Sequence, residues 1–270
     1  MRLLIHRNYE NLCSWIADYI IRRINTFSPG KEKPFVLGLP TGSSPLGVYR
    51  KLTTAFKEGK VSFANVITFN MDEYLGLPAD HPQSYKRFMN DNLFNAVDIP
   101  PENTHIPDGM TQDGEKECRA YEEAIKTVGG IELFMGGIGN NGHIAFNEPG
   151  SSFNSRTRIM TITADTRAAN ARFFDGDIGK VPAKALTVGI GTVMDAREVL
   201  IIVSGRGKAR ALQAAVEGGI SHWCPLSCLQ MHPNAIIVCD EDAAEELKYG
   251  TVKYFKDLEG NELERSDIKA

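Results

Sequence analysis

Residues 35–45 read FVLGLPTGSSP, and this stretch indicates the fold class of the chain. Phe35 to Leu39 are apolar or glycine, as expected for a strand that is buried on both faces. Short hydroxyl residues and a glycine follow, and Pro45 stands where we expect a helix to begin. A buried strand that turns directly into a helix is typical of a parallel sheet covered by helices.

Similar apolar runs recur along the chain, and helical patterns lie between most of them. Residues 3–5 precede a segment with apolar residues at helical spacing between Leu12 and Ile24. Further strands are predicted at 66–69, 131–135, 185–188, 199–203 and 235–239. Because parallel neighbours need a crossover long enough to hold a helix, this order predicts an open, doubly wound, mostly parallel α/β sheet of the Rossmann-like type, with helices on both faces. No linker divides the sequence, so we expect a single domain over residues 1–270.

Composition and charge exclude several function classes. The 270 residues include 30 Lys and Arg against 34 Asp and Glu, a net charge of −4, so neither nucleic acid nor an anionic membrane is an expected partner. The apolar start of the chain is too short for a signal peptide, and no window approaches roughly eighteen consecutive apolar residues. The five cysteines are odd in number and suit reduced thiols. We therefore expect a cytoplasmic protein.

The loops after the predicted strands carry the candidate site, because ligands of open parallel sheets bind beyond the carboxyl ends of the strands. After Leu39, the sequence Thr41-Gly42-Ser43-Ser44 opens a helix. Backbone N–H groups and the positive end of the helix dipole favour an anion there, and the hydroxyls add donors. An ordinary serine N-cap is an equally good interpretation. The stretch is neither a Walker loop, since it has no lysine, nor a GxGxxG motif.

Two adjacent carboxylates, Asp72 and Glu73, follow the predicted strand at 66–69. Neighbouring side chains on an extended segment point to opposite sides, so one of the two faces the ligand and the other is solvated or structural. The one at the ligand is a candidate base. A helix N-cap is the alternative for either residue.

Residues 136–150 read GGIGNNGHIAFNEPG and contain five glycines in fifteen residues. Such a segment suits a loop that approaches a ligand closely. His143 and Glu148 within it are candidate acid–base groups, although a lone loop histidine is more often structural. Downstream cations could bind an anionic substrate: Arg156, Arg158, Arg167, Arg172 and Lys208.

Four motifs, in order along the chain, resemble those of the glucosamine-6-phosphate deaminase family: residues 39–45, 70–74, 142–149 and 155–158. The related 6-phosphogluconolactonases share single motifs, such as a glycine-rich loop with a histidine. The complete sequences of residues 70–74 and 146–149 favour the deaminases. The resemblance implies conversion of glucosamine 6-phosphate and water to fructose 6-phosphate and ammonia, with no metal or organic cofactor.

The resemblance also implies roles for individual residues. Asp72 would move the proton between C2 and C1 of the sugar, and His143, helped by Glu148, would open the sugar ring. The substrate phosphate would be bound by Ser43, Arg172 and Lys208, with Thr41, Gly42 and Ser44 in the same cradle.

The sequence departs from the family pattern at Asn141, where an aspartate usually completes the ring-opening set. An amide keeps hydrogen bonding but loses the charge that would stabilise the His143 imidazolium, so we predict slower ring opening. Three explanations stay open: a compensated natural variant, an inactivating substitution, or deamidation of the Asn141-Gly142 pair.

Some family members are hexamers that N-acetylglucosamine 6-phosphate activates at a second site. Residues that match this allosteric site are Met1, Ser151, Arg158, Thr161 and Tyr254, while Met160 stands where lysine is usual. We therefore predict a homo-oligomer, as a hexamer, with weakened or absent activation. Residues 162–182 resemble the mobile active-site lid of the family. Two other functions stay open: a sugar-phosphate binding protein that has lost catalysis, and a 6-phosphogluconolactonase.

Overall fold

A central sheet of parallel strands organises the chain, whose structure is a computed structural model that describes residues 1–267. The described residues form seven strands of this sheet: β1 (Arg2–His6), β2 (Phe35–Leu39), β3 (Val66–Asn70), β5 (Thr104–His105), β6 (Leu133–Gly137), β9 (Val199–Val203) and β10 (Ala235–Asp240). Their order across the sheet is β1-β10-β9-β6-β2-β3-β5, and every neighbouring pair is parallel. The predicted mostly parallel sheet is confirmed.

Helices cover both faces of this sheet. They are α1 (Tyr9–Phe27), α2 (Leu46–Lys57), α3 (Tyr85–Asn92), α4 (Gly114–Thr127), α5 (Ala164–Asn170), α6 (Ile190–Met194), α7 (Ala209–Glu217) and α8 (Tyr249–Asp267). Alternate residues of one strand enter different cores: Val36 lies in one buried cluster, whereas Phe35 and Leu37 lie in the other. This alternation explains the uninterrupted apolar sequence of β2, since both of its faces are buried.

The order of the strands places a crevice between β2 and β6. From β2 the chain proceeds through β3 to β5 at one edge, and from β6 it proceeds through β9 to β10 in the opposite direction. The loops that leave β2 and β6 therefore diverge, and a ligand can bind between them.

Three short strands form a second, antiparallel sheet, which the sequence did not predict. β4 (Asp72–Tyr74) and β7 (Arg158–Thr161) both pair with β8 (Lys184–Thr187). The prediction that the apolar run at 185–188 belongs with the parallel strands was therefore wrong. An apolar run indicates burial and leaves the pairing partner undetermined. Residues 268–270 lie outside the described residues, and a single domain over 1–270 stays a prediction.

None of the helices within residues 1–267 combines the length and the apolar character needed to cross a membrane. Several element boundaries differ from the prediction by one or two residues, and two examples lie near the loops of the site. The helix expected to begin at Pro45 begins at Leu46, with Pro45 at the N-cap, and the strand expected at 131–135 spans Leu133–Gly137. Both shifts lie within the usual uncertainty of element ends.

Candidate active site

Four neighbouring strands bring the predicted site residues to one edge of the sheet. β9, β6, β2 and β3 are adjacent and parallel, so their carboxyl ends lie side by side. The segments that follow these ends carry, in the same order across the sheet, Lys208, the loop at 136–150, the cradle at 41–44 and Asp72. Residues far apart in sequence thus follow neighbouring strand ends at one edge of the sheet.

The cradle leaves the start of α2 open to an anion. Gly42 has φ +91°, a left-handed conformation that favours glycine, and no side chain caps α2. The alternative of a serine N-cap is therefore not the geometry observed. The hydroxyl of Tyr9 fixes the turn, because it donates to the carbonyl oxygen of Ser44 at 2.9 Å and accepts the N–H of Gly47 at 2.9 Å. Sequence reasoning missed Tyr9, which lies more than thirty residues away from these partners.

Asp72 is a buried carboxyl group with altered acidity. It lies on β4 opposite Thr187 and is 7% exposed. Burial, and then the charge of Glu73, raises the pKa of Asp72 to about 8. A carboxylate with a pKa in this range is a stronger base than an exposed aspartate.

Glu73 has a structural role, which resolves the alternative between the two carboxylates. Its carboxylate accepts the backbone N–H groups of Tyr74 at 2.8 Å, Tyr85 at 3.0 Å and Lys86 at 2.9 Å. Two of these groups belong to the first turn of α3, so Glu73 holds that helix against β4. Burial raises the pKa of Glu73, and the three hydrogen bonds oppose this effect.

The loop at 136–150 joins His143, Glu148 and Asn141. The Nδ1 atom of His143 lies 3.6 Å from Glu148 Oε2, and the amide nitrogen of Asn141 donates to the same oxygen at 2.7 Å. The side-chain oxygen of Asn141 accepts the backbone N–H of His143 at 3.2 Å. Gly139 is required here, because a Cβ at this position would overlap the His143 ring.

The other oxygen of Glu148 is bound from outside the loop. Oε1 accepts the hydroxyl of Thr166 at 2.6 Å and that of Thr163 at 3.2 Å. Burial alone would raise the pKa of Glu148, but His143 and the hydroxyl and amide donors outweigh it and lower this pKa to about 2. Glu148 is therefore an anion beside His143. Sequence reasoning missed the two threonines, since they belong to a different segment.

The loop is anchored to the second sheet. The hydroxyl of Thr187, opposite Asp72 on β8, accepts the N–H of Phe146 at 3.1 Å. The amide of Asn147 donates to the carbonyl oxygen of Val188 at 2.8 Å. The strand that pairs with Asp72 thus also fixes the loop that carries His143.

Two of the predicted cations come together. Burial, and then the nearby charge of Arg172, lowers the pKa of Lys208 to about 8. Two like charges held close together favour a dianion between them. The turn before Lys208 is fixed by Asp240, which accepts the N–H of Gly205 at 2.9 Å.

The wider set of cations proposed from the sequence is not assembled in one place. Arg156 is paired with Glu122 at 2.7 Å and with Asp195 at 2.5 Å. Arg167 donates to backbone carbonyl oxygens of its own segment, including that of Ile178 at 2.9 Å. These two arginines stabilise local structure. Among residues 1–267, no group of three or more His, Cys, Asp or Glu side chains is placed to hold a metal ion.

The residues of the predicted second site lie on β7 and α8, except Met1 and Ser151, which lie outside helices and strands. Arg158 on β7 donates to the hydroxyl of Ser151 at 3.2 Å, and burial lowers the pKa of its guanidinium. Met160 and Thr161 end the same strand, and Met160 packs against a small apolar cluster. The side chain of Met1 packs against the main core, and Tyr254 is exposed on α8.

Comparisons with known proteins agree with this geometry. The family model for glucosamine-6-phosphate isomerases and 6-phosphogluconolactonase matches residues 7–238. A glucosamine-6-phosphate deaminase of Phocaeicola vulgatus is 62% identical over 96% of this chain and 98% of its own length. One of Porphyromonas gingivalis is 60% identical over 97% of this chain and 100% of its own length.

Solved structures show the same architecture. The structure of a monomeric glucosamine-6-phosphate deaminase superposes with a TM-score of 0.84 and 41% identity, covering 91% of this chain and 100% of that one. A 6-phosphogluconolactonase from Trypanosoma brucei superposes with a TM-score of 0.72 at 19% identity, over 92% of this chain and 98% of that one. The second likeness concerns the fold alone.

Proposed function

The chain belongs to the family of glucosamine-6-phosphate isomerases and 6-phosphogluconolactonases, and we propose that it converts glucosamine 6-phosphate and water to fructose 6-phosphate and ammonia. One observation supports this proposal: the segments after four adjacent strand ends carry a buried carboxyl group, an imidazole beside a carboxylate, the anion cradle and Lys208, and the charge of Arg172 acts on Lys208. Relatives about 60% identical over nearly the whole chain have this activity in their names.

Substrate binding is assigned to the phosphate group. Lys208 and Arg172 supply charge, and the cradle of Thr41, Gly42, Ser43 and Ser44 supplies backbone and hydroxyl donors at the start of α2. Holding the phosphate at a distance from the reacting carbons fixes C1 and C2 near the acid–base groups, which lowers the entropic part of the barrier.

Asp72 is assigned the proton transfer from C2 to C1. As a carboxylate it removes the C2 proton of the open-chain sugar while O1 gains a proton from solvent, and its carboxyl group then delivers the proton to C1. C1 becomes a hydroxymethyl group and C2 an iminium, whose hydrolysis releases the proton that O1 took up. The C2 nitrogen then leaves as ammonia while water supplies the new carbonyl oxygen, so the atoms balance. The raised pKa of Asp72, about 8, favours removal of the C2 proton.

His143 is assigned ring opening. Its imidazole would accept the proton of the anomeric hydroxyl and deliver one to the ring oxygen, and the anionic Glu148 beside it stabilises the imidazolium that forms between the two steps. Asn141 carries no charge, so this stabilisation depends on Glu148. We therefore keep the prediction that ring opening is slower than with an aspartate at this position.

The proposal also includes activation at a second site and the oligomeric state of the protein. The Ser151–Arg158 pair supports an anion site for N-acetylglucosamine 6-phosphate, but Met160 supplies no charge, so we propose weak activation. We also propose a homohexamer in the cytoplasm. The solved relative of 41% identity is described as monomeric, so sedimentation of the purified protein tests this point directly.

The decisive experiment is an assay with two possible substrates. We expect ammonia and fructose 6-phosphate in equal amounts from glucosamine 6-phosphate, and no hydrolysis of 6-phosphogluconolactone. N-acetylglucosamine 6-phosphate is added in a parallel series, where we expect a weak effect on the velocity curve. Lactone hydrolysis without ammonia would assign the site to the lactonase branch. Sugar-phosphate binding with no turnover of either compound would instead favour a binding protein.

A further inference from the structure

Residues 162–182 reach the acid–base pair through two hydroxyl groups. Thr166 and Thr163 both donate to Oε1 of Glu148, while Asn141 and His143 lie at Oε2. We propose that Thr166 is a positioning residue, which orients the Glu148 carboxylate toward His143. The inference rests on the proposed function, because it assigns Thr166 a part in the ring-opening step.

Burial makes the Thr166 hydroxyl the main partner of Oε1. Thr166 is 8% exposed and Glu148 is 5% exposed, and the hydrogen bond between them is 2.6 Å long. Thr163 is exposed, and its contact with Oε1 is longer, 3.2 Å. A buried carboxylate oxygen without a donor is costly, so loss of the Thr166 hydroxyl favours either rotation or protonation of the carboxyl group.

The two threonines are hydrogen-bonded to each other at the start of α5. The side chain of Thr163 is the N-cap and accepts the backbone N–H of Thr166 at 3.3 Å. The first turn of the helix therefore presents both hydroxyls to the same oxygen. Asn170 at the end of α5 donates to the hydroxyl of Tyr74 on β4 at 3.0 Å, which holds the other end of the helix.

Within the described part of the chain, Glu148 contacts one titratable side chain and several neutral groups. His143 is the titratable side chain that faces it from the loop, and the other contacting groups, Asn141 and the two threonines, are neutral. Asp165 on α5 is exposed, and Arg167 is bound to backbone carbonyl oxygens. The protonation of Glu148 therefore reports directly on its hydrogen bonds and on His143.

The test compares Thr166→Val, which removes the hydroxyl, with Thr166→Ser, which keeps it. Thr192→Val is the matched control, because the Thr192 hydroxyl donates to a different carboxylate, Glu122, at the same distance of 2.6 Å. The first readout is the side-chain carboxyl ¹³C resonance of Glu148, assigned with Glu148→Gln and followed from pH 7 to pH 4. The second is kcat and KM for glucosamine 6-phosphate.

In the wild-type protein and in Thr166→Ser, we expect a flat Glu148 resonance over this range. In Thr166→Val we expect titration to begin within it, with kcat lowered about tenfold or more and KM changed less than about threefold. A flat resonance and normal kcat in Thr166→Val would overturn the proposal, as would the same losses in Thr192→Val. Failure of the wild-type protein to release ammonia would refute the proposed function, whereas the resonance would still report on the contact.

Discussion

Asn141 supplies a hydrogen bond that an ionised aspartate at the same position could not. Its amide nitrogen donates to Glu148 Oε2 at 2.7 Å, and its oxygen accepts the N–H of His143. An aspartate could keep the second contact only, and it would bring a second carboxylate to Oε2. Compared with an aspartate, Asn141 therefore places one negative charge fewer beside His143, and its amide hydrogen bond keeps Glu148 ionised.

Asn141→Asp is expected to move the acidic limb of the pH–rate profile to higher pH by about 1–2 units, because two adjacent carboxylates share a proton more readily than a carboxylate and an amide. Above that limb we expect kcat to be at least that of the wild-type protein, as the added charge favours the imidazolium. Profiles of kcat against pH measure both effects. Asn140→Asp, at the neighbouring exposed position, is the control, and superimposable profiles for Asn141→Asp and wild type would contradict this account.

The sequence predicted the residues of the loops better than their supports. Asp72 and His143 follow predicted strands, so the rule that ligands bind beyond the carboxyl ends of parallel strands made both of them site candidates. Tyr9 and Thr166 act through contacts with residues distant in sequence, and both lie in helices whose patterns are satisfied without any role in a site. Such contacts depend on tertiary packing, and the spacing of residues along a helix does not predict them.

The helix α3 depends on a buried carboxylate of β4. Glu73→Gln replaces one acceptor oxygen by an NH₂ group that faces backbone N–H groups of Tyr74, Tyr85 or Lys86. We expect a loss of about 1–3 kcal/mol in the free energy of unfolding, measured by urea denaturation. Glu115→Gln, an exposed position, should change this free energy by less than about 0.5 kcal/mol. A midpoint unchanged from wild type in Glu73→Gln would show that the three contacts contribute little.

The helix α1 supports the phosphate cradle through Tyr9. Tyr9→Phe removes a hydroxyl that bonds to both Ser44 and Gly47, so we expect the cradle to lose order before the substrate binds. The expected result is a KM for glucosamine 6-phosphate raised about three- to tenfold with kcat nearly unchanged, in proportion to one hydrogen bond. Tyr19→Phe, whose hydroxyl bonds to Glu198 outside the crevice, should leave KM unaltered. A fall in kcat alone would place Tyr9 in a different role.

Pairing of the short strands was the main structural feature that the sequence left open. The run at 185–188 is as apolar as those of the central sheet, yet β8 pairs antiparallel with β4 and β7. Residues 185–187 of β8 are buried like the strands of the central sheet, so composition does not separate them. The antiparallel pairing matters for the site, because it sets Thr187 opposite Asp72 and beside the loop of His143.

The site lowers the stability of the entire fold. Asp72 has a folded pKa of about 8, above its ordinary value of 3.8, so the folded chain binds a proton that the unfolded chain releases between these values. Stability therefore falls as pH rises from about 4 to 8. Lys208 has a folded pKa of about 8, below its ordinary 10.5, so its contribution rises from pH 8 to 10.5. The two groups together weaken the fold most near pH 8.

Asp72→Asn is accordingly expected to lower the activity and raise the stability of the protein. The amide has nearly the same shape and no charge, so it removes the cost of a buried carboxylate while it abolishes proton transfer between C2 and C1. We expect kcat to fall by about 10²-fold or more, and Tm to rise by about 5 °C at pH 8.5. The rise in Tm should shrink steadily toward pH 4, where Asp72 of the wild-type protein is already protonated and the unfolded chain gains a proton too. Calorimetry across this range, with the exposed Asp242→Asn as control, measures the difference. An unchanged or lowered Tm at pH 8.5 would mean that the Asp72 carboxylate is stabilised in the fold, and then its raised pKa could not be the source of its basicity.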